Sequence, residues 1–280
     1  MPSSAEKTVL ITGCSSGIGY CVAKGLQQRG YRVFATARRA ESVAVLNAEG
    51  LESLQLDLDD SASIQQAVED ILQRSGGQLY AVFNNGAFGL PGAVEDLSRE
   101  AIRASFETNL FGWLELTNLL LPVMREQGHG RIIQNSSVLG LVVMPYRGAY
   151  NASKFALEGL SDTLRLELHD TDIHVSLIEP GPILSRFRAN GLIALQKYID
   201  IENSVHRARY QRVLERLNKQ GPAVAFTLPP EAVLKKVIHA LEARQPKARY
   251  YVTVPTYLFG YLKRILPTNA LDRLLRLASN

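Results

Sequence analysis

Cysteine, tryptophan and methionine are scarce in this chain of 280 residues, with two, one and three respectively. Cys14 and Cys21 fit neither a metal-ligand spacing nor a CxxC pair, which argues against a thiol-redox or zinc centre and for a reducing compartment. No apolar run approaches the roughly 20 residues that cross a bilayer, and the opening "MPSSAEKTVLITG" has no secretory h-region. A cytoplasmic protein is expected. Charge of one sign is also in short supply. A net +4 and a pI near 9.0, with the charges scattered, are too little for a nucleic-acid-binding surface. They suit a phosphorylated cofactor or an anionic membrane. The histidines His129, His169, His174, His206 and His239 stand at no ligand spacing, so no metal is expected, and His169 and His174 read as solvated. No internal repeat or low-complexity tract is present. What remains is 46% hydrophobic and 21% charged residues, the balance of a globular α/β protein.

Short β-branched runs alternate with longer amphipathic stretches. The runs span 7–12, 31–37, 51–57, 79–84, 130–137, 173–180 and 249–254. In "SASIQQAVEDILQRSG", Ile64, Ala67, Val68, Ile71 and Leu72 recur at helical spacing. Seven strands separated by helices predict a doubly wound parallel sheet with helices on both faces, since parallel strands need long crossovers. Its ligand belongs beyond the C-terminal strand ends, where strand order reverses. One domain is predicted over 1–254, with a substrate lid at about 183–226. A tail follows over 255–280.

The first strand runs into "TGCSSGIG". Gly13, Gly17 and Gly19 in a Gly-x3-Gly-x-Gly turn let backbone N–H groups approach a pyrophosphate at a helix N-terminus. After a strand and before a helix, this is a good dinucleotide signal. The second strand ends with Ala37, where an acid would hold a ribose 2′-hydroxyl, followed by Arg38 and Arg39. Guanidinium groups without a carboxylate suit a 2′-phosphate, hence NADP(H). Further on, "GAYNASKFALEGL" puts Tyr150 and Lys154 four residues apart on one helical face.

These motifs together resemble the short-chain dehydrogenase/reductase family, whose fold is a single-domain Rossmann sheet. The resemblance covers nearly everything from Lys7 to Val254. The turn matches TGxxxGxG, which assigns Ser15, Ser16 and Ile18 to the cofactor beside the three glycines. Asp57-Leu58 matches the family's adenine-contacting pair, and Asn84-Asn85-Gly86-Ala87 its N-N-A-G with the last two residues exchanged. Asn109 matches the helix asparagine, and Ser137 lies thirteen residues before Tyr150, as in the family. "PGPILS" (Pro180, Gly181, Ile183 and Ser185) resembles P-G-x-V-x-T. The stretches "FNNGAFG" and "SLIEPGPI" look most like the retinol- and steroid-dehydrogenase branch and its bacterial relatives.

The resemblance implies a hydride transfer between a nicotinamide and a carbonyl or alcohol. Tyr150 would exchange the proton, Ser137 would hold the substrate oxygen, and Lys154 would hold the ribose and, together with the oxidised nicotinamide, lower the pKa of Tyr150. Asn109 would bind a water that links Lys154 to solvent. The loop 88–97 and the lid, with Phe88, Leu90, Phe187, Leu192, Leu195 and Tyr198, suit a small lipophilic substrate. A reductase of 3-oxoacyl-carrier-protein is an alternative within the same chemistry. A non-catalytic NADP(H)-binding sensor is one outside it, although such relatives typically lose the tyrosine or lysine. In the tail, Leu271, Leu274, Leu275 and Ala278 predict an apolar helical face beside Arg273 and Arg276. That face is expected to dock on its own domain, on a second subunit or on a membrane surface. The family often forms dimers or tetramers, so a homo-oligomer is expected. The carboxylates of "SDTLRLELHDTD" read as a solvated face.

Overall fold

The computed structural model describes residues 7–279. In chain order the elements are β1 (Thr8–Ile11), α1 (Gly17–Gln28), β2 (Arg32–Ala37), α2 (Ala40–Ala48), β3 (Glu52–Gln55), α3 (Ser61–Ser75) and β4 (Ala81–Asn84). Then come α4 (Arg99–Phe106), a π-helical segment (Glu107–Phe111), α5 (Gly112–Glu126), β5 (His129–Asn135), α6 (Gly148–Glu167) and β6 (Asp172–Glu179). The lid helices α7 (Phe187–Tyr198) and α8 (Arg207–Asn218) precede α9 (Glu231–Glu242) and β7 (Arg249–Tyr251). The tail forms α10 (Val254–Ile265) and α11 (Thr268–Ser279).

The seven strands are all parallel, in the order β3-β2-β1-β4-β5-β6-β7, so the doubly wound sheet is as the alternation predicts. The reversal falls between β1 and β4, where their C-terminal ends leave a crevice. Apolar residues occupy both faces. One core packs Val9, Ile11 and Phe83 against Val22 and Leu26 of α1 and Val237 of α9. The other packs Leu10, Val82 and Ile132 against Ile64 and Ile71 of α3 and Trp113 and Leu116 of α5. Asp60 caps α3, its carboxylate accepting the Ala62 N–H at 3.0 Å, and Gly76 ends the helix in the left-handed region.

One boundary differs from the sequence reading. The last strand stops at Tyr251 rather than Val254, because Pro255 sits in the first turn of α10 and starts a helix there. Pro229 and Pro230 lie just ahead of α9, with Pro230 as the residue before its first turn.

Candidate active site

The glycine turn closes around the crevice. Gly13 and Gly17 adopt φ values of +71° and +61°, a region costly for any residue with a Cβ. A Cβ on Gly13 would lie 2.6 Å from the Cα of Gly86, and one on Gly17 would lie 2.9 Å from the Cβ of Ser185. Ser16 precedes α1 without capping it through its side chain, so the positive end of the helix keeps free N–H groups. They open on a cleft of about 490 Å³ lined by Ser15, Ser16, Gly17, Ser42 and Arg186, together with Glu49, which accepts a hydrogen bond from Tyr20 at 2.7 Å. Ile18 leans on the core beneath. Arg38 and Arg39 are exposed just beyond β2, and among the described residues neither guanidinium is in an ion pair. These residues fit a dinucleotide: an uncapped helix end faces a cleft, and the chain leaving β2 carries two cations outside any ion pair. Cys14 lies inside the turn, buried, with burial pushing its thiol up to about 12, so it fills space rather than reacting.

Behind the turn, Thr12 Oγ1 accepts the N–H groups of Asn85 at 2.9 Å and Gly86 at 2.8 Å. Asn85 donates to the carbonyl of Thr12 at 2.9 Å, and its own Oδ1 accepts from Asn135 at 2.9 Å. Asn84 points elsewhere: it is fully buried and donates to Thr117 of α5 at 3.1 Å. Asp57 accepts the Asp59 N–H at 3.2 Å, and Leu58 packs under Gly86. Asn109 sits in the π-helical segment, its amide gripping Phe88 at both ends: Nδ2 donates to the carbonyl at 2.9 Å and Oδ1 accepts the N–H at 3.1 Å. The same Nδ2 reaches Ser153 Oγ at 3.2 Å. The side chain therefore fixes the 88–97 loop to α6, which leaves it little capacity for water.

Tyr150, Lys154 and Glu158 follow one another along the buried face of α6. Lys154 Nζ donates to the carbonyl of Asn135 at 2.8 Å and lies 4.2 Å from the Trp113 ring centroid, a cation–π contact. The Trp113 indole donates in turn to the carbonyl of Gly86 at 2.8 Å. Burial lowers Lys154 to about 7, opposed by the carboxylate of Glu158. Tyr150 departs from the sequence expectation. Lys154 was expected to bring its pKa down, yet burial dominates and pushes the phenol up to about 12, with the Ser137 hydroxyl pulling the other way. The ammonium stands 5.7 Å from the centroid of the tyrosine ring, and at that distance it does not offset burial. Ser137 follows the end of β5, and its hydroxyl accepts the N–H of Leu139 at 3.1 Å. Val138 N–H donates to Pro180 at 2.8 Å, which ties this segment to "PGPILS". Gly181 packs against Thr253, and Ile183 bridges Leu228. Ser185 lies over the glycine turn.

A second cluster was not legible in the sequence. Arg249 of β7 reaches Glu158 at 2.8 Å, Asp162 at 2.8 Å and Glu179 at 3.1 Å. Glu158 also accepts from Ser136, the neighbour of Ser137. The solvated-face reading of this stretch of α6 is thus corrected for Asp162, which is held by Arg249 and Arg165. With three carboxylates around one guanidinium and Glu179 wholly buried, Glu179 is raised well above the ordinary carboxylate range by burial first, then by Glu158. The only sequence signal was the i+4 spacing of Glu158 from Lys154.

The histidines form no metal site: among the described residues no group of three His, Cys, Asp or Glu side chains could hold an ion. His174 is half-buried rather than solvated, and burial lowers its pKa. His206 is tied to Glu95, and His239 meets the Tyr250 hydroxyl at 2.9 Å.

The walls around Tyr150 are apolar. Phe187 of α7 meets its ring edge-on at 5.3 Å. Tyr210 of α8 latches the lid to the 88–97 loop: its hydroxyl donates to Asp96 at 2.6 Å and accepts from Ala93 at 2.8 Å. On the other side the tail docks on its own domain, where Leu275 and Phe259 pack with Val138, Leu139, Val142 and Tyr150. Leu271 joins them, whereas Leu274 and Ala278 of the expected apolar face remain exposed. A cavity of about 530 Å³ lies between α6 and the tail, lined among others by Val143, Asn151, Phe155, Leu275 and Arg276.

The family described as "short chain dehydrogenase" matches residues 7–192. Uncharacterized oxidoreductase YbbO of Escherichia coli K12 is 42% identical over 271 residues, which cover 97% of this chain and 94% of that protein. The 3-ketodihydrosphingosine reductase of Bacteroides thetaiotaomicron is 32% identical over 270 residues, 96% of each chain. A short-chain dehydrogenase structure from Streptomyces avermitilis superposes with a TM-score of 0.74 at 28% identity, covering 96% of this chain and 93% of that one. With the doubly wound sheet, the glycine turn and the Ser137, Tyr150 and Lys154 cluster in place, the chain belongs to the short-chain dehydrogenase/reductase family of oxidoreductases.

Proposed function

We propose that the protein is a cytoplasmic, NADP(H)-dependent reductase of lipophilic aldehydes or ketones. The observation that carries this reading is the burial of Tyr150 between apolar walls from the lid and the tail. Bound at the glycine turn, a reduced nicotinamide cofactor supplies the hydride to the carbonyl carbon. The carbonyl oxygen gains negative charge as the C–O π bond breaks, and Ser137 and Tyr150 donate hydrogen bonds to it. The Tyr150 proton then passes to that oxygen and leaves a phenolate, which the Lys154 ammonium stabilises. Protonated, Tyr150 serves as the acid in the reducing direction; as the phenolate it would take the proton back in the reverse one. Arg38 and Arg39, with no acid at Ala37, support a 2′-phosphate and therefore NADPH. The relative named for 3-ketodihydrosphingosine, a keto lipid, agrees with the apolar walls.

The test is NADPH consumption by the purified chain with a long-chain aldehyde, retinal and a steroid ketone, beside NADH and beside Tyr150→Phe. Turnover with NADPH that collapses in the variant, while NADPH still binds, is expected. Equal turnover with NADH would overturn the cofactor assignment, and activity confined to acyl-carrier substrates would overturn the substrate class.

A further inference from the structure

Helix α10 is apolar on two opposite sides. Thr256, Phe259 and Gly260 face the protein, buried. On the other side Val254, Tyr257, Leu258, Tyr261 and Ile265 are 55, 42, 51, 58 and 73% exposed. Their spacing of i, i+3, i+4, i+7 and i+11 makes one continuous stripe. Tyr251 extends it, meeting Tyr257 and Tyr261 edge-on at 5.4 and 6.4 Å. Helix α11 repeats the pattern: Leu275 is buried, while Leu274 and Leu277 are 39 and 71% exposed. Seven of the 21 exposed large apolar side chains among the described residues thus fall between Val254 and Ser279, a crowding that a solvated surface does not require.

The charges beside these stripes have one sign. Residues 255–280 carry Lys263, Arg264, Arg273 and Arg276 against Asp272 alone, a net +3 of the chain's +4. By helical spacing Arg264 borders the α10 stripe and Arg273 the α11 stripe.

We infer that the outer face of α10 and α11 is a docking surface for the anionic headgroup region of a lipid bilayer. Leucine and isoleucine side chains enter the acyl boundary, tyrosine hydroxyls stay at headgroup level, and the arginines meet lipid phosphates. A second copy of the chain is the poorer occupant. A two-fold interface sets the patch against itself, and with no carboxylate in either stripe Arg264 and Arg273 would find no counter-charge across it. Since the inner face of α11 packs against Val138, Leu139 and Tyr150, docking would also bring one wall of the candidate active site to the bilayer.

The experiment is vesicle flotation of the full chain, with phosphatidylcholine alone and with about 30% phosphatidylglycerol added. Two variants accompany it: Leu258→Ser/Tyr261→Ser/Ile265→Ser, and Arg264→Glu/Arg273→Glu. All these side chains are exposed and none lies in the candidate active site, and NADPH binding and Tm certify the fold. The wild type is expected to float with the anionic vesicles at least about ten-fold more than with the neutral ones. Each variant, and about 0.5 M salt for the wild type, should remove most of that binding. Wild type that stays in the soluble fraction with both vesicles, or variants that float unchanged, overturns the inference. So does a dimer that ignores vesicles and dissociates in the triple variant, which would make the stripe a protein interface.

Discussion

At the scale of single residues, the site sets chemistry against burial. Tyr150 and Lys154 are each driven towards the neutral form by desolvation, the phenol up and the amine down. A group that is neutral when buried gives its proton only if the charge left behind is met nearby, and Lys154 is the cation placed to do so. Tyr150→Phe should therefore lower kcat by at least about 10³ while fluorescence titration still detects NADPH. Ser137→Ala should cost about 10²–10³ in kcat, the range for loss of one oxyanion donor. It should also free the Leu139 N–H without unfolding the chain. On the proposed reading Arg38 acts in binding alone. Arg38→Ala should raise the Kd for NADPH about 10–100-fold and leave that for NADH within about two-fold, since only the 2′-phosphate distinguishes the two. Tyr150, Lys154, Ser137 and Arg38 could all be picked out of the sequence, because their spacing or neighbours carry the chemistry. The rise in the Tyr150 pKa could not, since it depends on how deeply Phe187 and Leu275 bury the ring.

At the scale of elements, β6, β7 and α6 meet through charges that no local pattern reveals. Glu158 and Asp162 lie on α6, Glu179 ends β6 and Arg249 opens β7, some 70–91 residues apart in sequence. In the sequence Asp162 looks like one more exposed carboxylate, and only the parallel register of β6 with β7 brings Arg249 over it. Glu179 binds its proton more tightly in the folded chain than in the unfolded one, up to about 9. Its contribution to stability is therefore complete below the ordinary glutamate range and is lost as pH rises through about 9. Glu179→Gln keeps the neutral form at every pH. Its Tm relative to wild type should climb steadily from about pH 5 to about pH 9 in thermal unfolding, the sign set by the raised pKa. Lys154, lowered by burial, works in the opposite sense above pH 7 in both proteins and cancels in the difference. A flat difference across that range would mean Glu179 is ionised beside Arg249. The tail belongs to this scale too. Of its two helices only α11 was legible from its spacing, and only Leu271 and Leu275 of the expected apolar face turn inward. Leu275→Ala should raise KM for an apolar substrate several-fold and leave NADPH affinity unchanged, as one wall of the site loosens.

At the scale of the whole molecule, the reversal of strand order between β1 and β4 decides where everything else gathers. The alternation of strand and helix made the doubly wound sheet readable, because crossovers of that length permit little else. It did not reveal how the two halves are locked at the crevice. That lock is Asn85, whose side chain accepts a hydrogen bond from Asn135 on β5 and donates one to the Thr12 carbonyl after β1, while the Thr12 hydroxyl accepts from the backbone N–H groups of Asn85 and Gly86. Gly13 can press against Gly86 only while this frame holds, so the pyrophosphate turn rests on a side chain in the other half of the sheet. Asn85→Ala leaves the Asn135 amide and the Thr12 carbonyl without their partner in a half-buried crevice, at a cost of about 1–3 kcal/mol for each group left bare. The variant should melt lower and bind NADPH at least about ten-fold more weakly. Asn135→Ala should do the same, but the double variant should fall well short of the sum of the two, because both remove one shared bond. Additive losses in urea unfolding and in NADPH titration would mean that the two asparagines act separately and that the halves of the sheet are not joined through them.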